Sequence, residues 1–343
     1  MAKQTLAVKY RPQTFDDVTE QESIKTILQQ QLSCDEVKNA YLFCGGAGTG
    51  KTTTARIFAN EINHGQGTPI EMDAASHNGV DDVRDIIQQA KTKSIDSEYK
   101  CFIIDECHSI SNTGWQAFLK IIEEPPAKSI FLFCTTDPQK IPKTILSRVQ
   151  RYDFHRISQK GIIDRLAYIL SKENLRARGS QEEALSYIAK LADGGMRDAI
   201  SLMDKCISYS TELTLGNVVK ALGTVDYDTM IILTDCILKR NPNDAITGIE
   251  SIHAQGKDLK QFIKSYLQFL VDVQKVVVGC EWDYITIPDT EKYRQWFDNK
   301  SDDDYDRCMK WLREVIKLNA HIKYSSSVKY DIEAAILCFV MEE

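Results

Sequence analysis

The chain has 343 residues, 43% of them hydrophobic, with a net charge of −7 and a pI of about 5.5. That length accommodates two or three domains with packed cores, and the acidic balance excludes a uniformly basic nucleic-acid-binding protein while leaving room for a local basic face. None of the ten cysteines forms a C-x-x-C pair, which excludes a zinc knuckle or redox pair and casts those in apolar stretches as small core residues of a protein from a reducing cytoplasm.

The N-terminal residues Met1-Ala2-Lys3-Gln4-Thr5 lack the apolar region of a signal peptide. No apolar run reaches membrane-spanning length; the stretch 269–278 is interrupted by Asp272, Gln274 and Lys275. A cytoplasmic protein with no membrane partner is expected. Residues 6–18 contain Pro12, which disfavours a helix and predicts an extended arm. Such an arm either packs on the fold or walls the base of a bound nucleotide. Thr19-Glu20-Gln21-Glu22 reads as a capping box with Thr19 at the N-cap. The helix it opens carries Ile24, Ile27, Leu28 and Leu32 on one stripe.

Ala40 to Cys44 is an apolar stretch suited to a buried strand, and Gly45-Gly46-Ala47-Gly48-Thr49-Gly50-Lys51-Thr52 follows it as G-x-x-x-x-G-K-[ST]. Thr53 then enters a segment with helical spacing of Ile57, Phe58 and Ile62. Strand, glycine-rich loop and helix are the context a phosphate-binding loop needs. Glycines permit positive φ and close approach of backbone N–H groups to phosphate oxygens. The helix start adds partial positive charge. Lys51 is expected to reach the β- and γ-phosphates of ATP, and the Thr52 hydroxyl to ligate Mg²⁺.

Residues 69–74 predict a strand, Ser76-His77-Asn78-Gly79 a turn, and 81–91 a helix. Residues 100–104 read as a fully buried strand, ending in Asp105-Glu106-Cys107-His108. Beside a phosphate loop, Asp105 is expected to hold Mg²⁺ and Glu106 to polarise the attacking water; the plainer reading is an acidic cap on the next helix. His108 is given no role. Residues 115–123 predict a helix stopped by Pro125-Pro126. Residues 129–134 predict another buried strand, followed by Thr135-Thr136-Asp137-Pro138. Arg148, taken alone, reads as a solvated charge. From Ser158 the pattern is helical: 159–173, then a helix capped at Ser180, then one from Met196 towards Tyr209, with Asp193-Gly194-Gly195 between the last two. Residues 212–343 stay helical, and the acidic stretch 281–306 is expected to be a solvated face or loop. This last region carries no catalytic constellation.

The ordered set from residues 8–18, the phosphate loop, Met72-Asp73-Ala74-Ala75-Ser76, Asp105-Glu106-Cys107-His108, residues 135–142, Ile145-Leu146-Ser147-Arg148 and Gly195-Met196-Arg197-Asp198-Ala199 resembles the ATPase subunit of sliding-clamp loaders, most closely the bacterial DNA polymerase III gamma/tau type. The resemblance spans residues 6–209. It implies an α/β AAA+ domain, a parallel sheet with helices on both faces, over 1–157. A small helical lid over 158–211 and an all-α collar over 212–343 would follow. The collar would hold a five-subunit ring with other clamp-loader subunits, acting on a sliding clamp and primer–template DNA. The resemblance gives Thr136 the role of γ-phosphate sensor, Arg197 that of lid sensor, and Arg148 that of an arginine finger working in trans. It places Arg11, Pro12 and Val18 on the adenine side. Arg84 and Lys120 are candidate DNA contacts, and 112–119 a candidate clamp-facing helix.

Three departures stand out. Residues 63–68 replace the four-cysteine zinc module of the bacterial subunit, so no zinc is expected. The usual Ser-Arg-Cys reads Ser147-Arg148-Val149. The sequence ends after the collar, which reads as a compact form without the polymerase- and helicase-binding tail, suited to a phage or reduced replication system. Two rivals remain at this point: a non-hydrolysing scaffold subunit, against which Lys51, Thr52, Asp105 and Glu106 all stand, and another AAA+ motor of the branch-migration or helicase-loading kind.

Overall fold

The structure, a computed structural model, describes residues 4–175, 181–222, 227–287 and 291–341. The chain divides into two compact units, Met1–Arg176 with Ile188–Asp204, and Ala177–Tyr187 with Lys205–Glu343.

The first unit begins with helix α1 (Leu6–Lys9), a 3₁₀ turn (Phe15–Asp17) and α2 (Glu22–Ser33). Then come β1 (Ala40–Gly45), α3 (Lys51–Ile62), β2 (Ile70–Asp73), α4 (Val80–Ala90) and β3 (Lys100–Asp105). The series continues with α5 (Asn112–Glu123), β4 (Ser129–Thr135), α6 (Lys143–Leu146), β5 (Gln150–Phe154) and α7 (Gln159–Lys172). The strands form one parallel five-stranded sheet in the order β2-β3-β4-β1-β5.

Alternation along the strands supplies both faces of this sheet. Leu42, Cys44, Phe102, Ile104, Phe131 and Phe133 point to the side covered by α4 and α5. Tyr41, Phe43, Ile103, Leu132, Cys134 and Tyr152 point to the side covered by α2 and α3. A strand buried on both faces must be apolar at every position, which is why β1, β3 and β4 read as unbroken apolar runs. The order places the C-terminal ends of β1, β3 and β4 together. In open parallel sheets, ligands bind outside such ends.

Three local expectations are corrected. The N-terminal arm is not extended: Pro12 lies between two turns, and α1 is held at its start by Leu6 N donating to Asp204 Oδ2 at 3.1 Å. Thr19 does not cap α2; Gln21 precedes the helix at φ 60 with no side-chain cap, and Glu20 also has positive φ. Long-range bonds outweigh the local cap. The Gln21 amide exchanges hydrogen bonds with the His155 backbone at 2.7 and 3.2 Å, and the Glu20 carboxylate accepts from Ser158 N and Oγ. Those bonds tie α2 to the chain leaving β5. On α2, Ile24 and Leu28 are buried but Ile27 is exposed. The segment 63–68 forms a tight turn in which the Asn63 side chain bonds Tyr99 N and O at 2.8 and 2.9 Å.

Helices α8 (Gln181–Leu191) and α9 (Met196–Tyr209) each cross the division between units. The cap expected at Ser180 lies outside the described residues. The second unit adds α10 (Leu215–Leu222), α11 (Tyr227–Leu238), α12 (Pro242–Ala254), α13 (Leu259–Val277), α14 (Glu291–Asp298), α15 (Asp302–His321) and α16 (Val328–Met341). Its core is centred on Tyr266, whose hydroxyl lies 2.8 Å from Thr234 Oγ1 and accepts from Trp311 Nε1 at 3.1 Å. The acidic stretch is the solvated face of the two expected forms, not a loop: Glu291, Asp298, Asp302, Asp303 and Asp306 are exposed on α14 and α15. Trp296 and Phe297 of α14 pack on this core, and Ser301 with Asp304 forms a reciprocal cap on α15. Asp302, Asp303 and Asp304 then sit in a first turn that favours negative charge.

Asp272 on α13 is fully buried and accepts from Lys275 Nζ at 2.8 Å, Gln268 Nε2 at 3.2 Å, Thr286 N at 2.7 Å and the Thr286 hydroxyl. Replacing it with alanine strands four donors. Asp272→Ala is expected to destabilise the second unit by about 3 kcal/mol, read as a lowered urea midpoint. An unchanged midpoint would show that the network contributes nothing net.

Candidate functional site

The loop between β1 and α3 is built on glycine where no other residue fits. A Cβ at Gly45 would lie 2.5 Å from Phe154 O on β5. Gly48 and Gly50 have φ of +70° and +103°, and Gly50 precedes the first turn of α3. Thr49 Oγ1 donates to Gly46 O at 2.9 Å and fixes the bend. Lys51 is 5% exposed, and its ammonium donates to Gly45 O at 2.9 Å and Gly46 O at 2.7 Å. Burial lowers its pKa, opposed by nearby charges that include Glu106 and Asp105.

At the end of β3, Asp105 Oδ2 accepts from Thr52 Oγ1 at 2.8 Å, while Oδ1 accepts from Glu106 N at 3.0 Å. Two hard oxygen donors side by side suit a magnesium ion, which takes one or two protein oxygens and fills its remaining positions with water and phosphate. Among the described residues no group of three or more His, Cys, Asp or Glu is placed to hold a metal. Glu106 adopts a left-handed backbone at φ 45, and its Oε2 accepts from Thr136 Oγ1 at 2.9 Å. The structure therefore brings Lys51, Thr52, Asp105, Glu106 and Thr136 to one end of the sheet. Thr53, next on α3, is partly exposed.

The start of α9 rests on the loop. Met196 N donates to Gly48 O at 3.0 Å, and a Cβ at Gly48 would meet Gly195 Cα at 3.0 Å and Arg197 N at 3.3 Å. Arg197 thus begins beside the loop with its side chain exposed. Gly48→Ala is expected to weaken ATP binding about tenfold, since a left-handed alanine costs about 1–2 kcal/mol and its methyl presses on Gly195. Unchanged affinity in a nucleotide titration would show that this close approach is dispensable.

Val18 is buried, with Cγ1 4.0 Å from the Cβ position of Gly50, so it borders the loop. A cleft of about 410 Å³ shares Val18 and is lined also by Asp17, Lys160, Arg165 and Tyr168. Arg11 and Pro12 are not joined to the loop by any hydrogen bond or ion pair among the described residues; Arg11 O accepts from Gln13 Nε2. Arg148 is likewise elsewhere. It pairs with Glu123 at 2.7 Å and donates to Thr144 O at 2.8 Å and Ser147 Oγ at 3.0 Å. Arg84 pairs with Asp81, and Lys120 is exposed on α5. In α5, Gly114, Trp115 and Phe118 are buried, leaving Asn112, Thr113 and Gln116 outward.

Sequence reasoning missed His108. Its Nδ1 lies 3.2 Å from both Glu106 Oε2 and Thr135 Oγ1. It also missed Glu123 as the partner of Arg148. For His108 the only signal was its position two residues after Glu106; for Glu123 there was none, since helix α5 and the loop after α6 are joined only by folding.

A model for the DNA polymerase III delta subunit matches residues 62–158, and one for the DNA polymerase III clamp loader subunit ATPase lid domain matches residues 161–212. The gamma subunit of DNA polymerase III from Buchnera aphidicola is 30% identical, over 98% of each chain. The chain belongs to the DNA polymerase III gamma/tau family. The tau subunit of Bacillus subtilis is 37% identical over 86% of this chain but 56% of its own length, and that of Escherichia coli is covered over 45%. The chain spans about half the length of these tau relatives. Among solved structures, the Thermotoga maritima RuvB Holliday junction branch migration motor superposes with a TM-score of 0.53 at 20% identity, over 66% of this chain and 79% of that one. That likeness shows the fold: a parallel sheet with flanking helices. No helix among the described residues is long and apolar enough to cross a membrane.

Proposed function

We propose that this gamma/tau family member is the ATP-hydrolysing motor subunit of a sliding-clamp loader, with an AAA+ domain over 1–157, a lid over 158–211 and a collar over 212–343. The observation that carries the reading is the joint placement of Lys51, Thr52, Asp105, Glu106 and Thr136 at one sheet end. A scaffold subunit needs the fold but not this hydrolytic set.

The phosphate-loop N–H groups and Lys51 would bind the β- and γ-phosphates of ATP. Thr52 and Asp105 would hold Mg²⁺, which when bound neutralises phosphate charge. Glu106 would take a proton from water as its oxygen attacks the γ-phosphorus. The bond to the β,γ-bridging oxygen then breaks and ADP leaves with the electron pair. Thr136 would sense the γ-phosphate and Arg197 would report nucleotide occupancy from α9. Arg148 would act on ATP held by the adjacent subunit of a five-membered ring. Val18, with Arg11 and Pro12, would border the adenine. The partners would be the clamp, the other loader subunits and primer–template DNA, gripped mainly through phosphates, with Arg84 and Lys120 as candidate contacts. No zinc is needed by any of these steps, and the bacterial or phage-infected cytoplasm is the expected setting.

The test is ATP turnover by the full chain assembled with loader subunits, with and without clamp and primed DNA. Joint stimulation by clamp and DNA supports the reading. Turnover indifferent to the clamp assigns another AAA+ motor, and an assembly whose turnover is unaffected by loss of Lys51 in this chain assigns a scaffold.

A further inference from the structure

We propose that His108 is a positioning residue for Glu106, holding one carboxylate oxygen so that the other faces the attacking water. This rests on the ATPase reading above and adds to it a residue and an atom-level division of labour.

Among the described residues, the carboxylate of Glu106 accepts on Oε2 alone. Oε2 takes the Thr136 hydroxyl at 2.9 Å and lies 3.2 Å from His108 Nδ1. A carboxylate oxygen is an acceptor, so the ring proton belongs on Nδ1. Thr135 Oγ1, also 3.2 Å from Nδ1, already accepts from Asp137 N at 3.0 Å. The ring therefore sits in a fork between the carboxylate and the end of β4. With Oε2 taken by two donors, Oε1 keeps its lone pairs for water.

The backbone reinforces this arrangement. Glu106 is in the left-handed region at φ 45, where a non-glycine residue is strained. Residues Cys107–Ser109 form a 3₁₀ turn closed by Ser109 N donating to Glu106 O at 2.9 Å. Cys107 and Ile110 on either side are buried in the sheet core, so the turn holds His108 in place. A histidine serving only to fill space would need no such placement of Nδ1 against the carboxylate.

The substitutions are chosen by atom. Asparagine puts an amide near the position of Nδ1; glutamine puts one near Nε2. In the assembled loader with full-length chain, His108→Ala is expected to lower kcat about tenfold, a fraction of the ~100-fold or more that a positioned base supplies. KM for ATP and the affinity for a fluorescent ATP analogue should stay within about twofold, because loss of a transition-state contact lowers kcat alone. His108→Asn should recover most of kcat and His108→Gln should not. The inference is overturned if His108→Ala turns over within about twofold of wild type, or if asparagine rescues no better than glutamine while melting temperature and nucleotide affinity fall together. Wild-type turnover no faster than that of Lys51→Ala would sink the ATPase reading itself, an outcome visible before any His108 variant is measured.

Discussion

Arg148→Ala is expected to lower ATP turnover in the assembled loader by about 10³-fold while leaving nucleotide affinity unchanged. The affinity should hold because every described hydrogen bond of this side chain goes to Glu123, Thr144 or Ser147, and none to the phosphate loop of its own chain. The turnover should fall because an arginine finger meets charge that develops only in the transition state. A mixing experiment separates trans from cis action. A Lys51→Ala chain still carries Arg148, and an Arg148→Ala chain still binds ATP. Assemblies containing both should regain activity that neither has alone. Absence of recovery would place Arg148 in cis or outside the chemistry. The ion pair with Glu123 is half-exposed, 39% and 48%, so releasing it towards a neighbour has a small cost.

Lys51→Ala is expected to weaken ATP binding about 100-fold, the equivalent of about 3 kcal/mol for lost charge-assisted bonds to phosphate, and to abolish measurable turnover. The ammonium donates to the carbonyls of Gly45 and Gly46. Burial lowers its pKa below the usual 10.5. For a base, a folded-state pKa below the unfolded one means that the charged form favours unfolding. That penalty is full below the folded pKa and vanishes as pH rises through 10.5. Lys51→Ala should therefore leave the melting temperature at neutral pH unchanged or raised. A lowered melting temperature would show that the two carbonyl bonds outweigh burial, and retained ATP binding would remove Lys51 from the site.

Much of the nucleotide end was legible because its chemistry is local in sequence. The phosphate loop needs glycines at fixed spacing for positive φ, and a strand buried on both faces needs consecutive apolar residues. Glu106 follows Asp105 directly, so the acidic pair announces itself. The same holds for the helical spacing of Ile57, Phe58 and Ile62 in α3. Local signals failed where distant bonds compete with them. Thr19-Glu20-Gln21-Glu22 has the spacing of a cap, but Glu20 and Gln21 are drawn to residues 155–158, which only β5 brings near. Ile27 fits the apolar stripe of α2 and still faces solvent.

By itself, then, the sequence determined where the glycine loop and the acidic pair lie, which strands are buried and the family to which the chain belongs, since each is written in short-range spacing or in an ordered set of motifs. Tertiary structure alone decided what the side chains do to one another. The strand order sets Asp105 beside Thr52, brings Thr136 to the Glu106 oxygen that His108 also faces, and lays Gly195 against Gly48. The physical reason is that a parallel sheet collects its strand ends from distant parts of the chain, so the contacts that tune a carboxylate or a loop have no fixed spacing to be read.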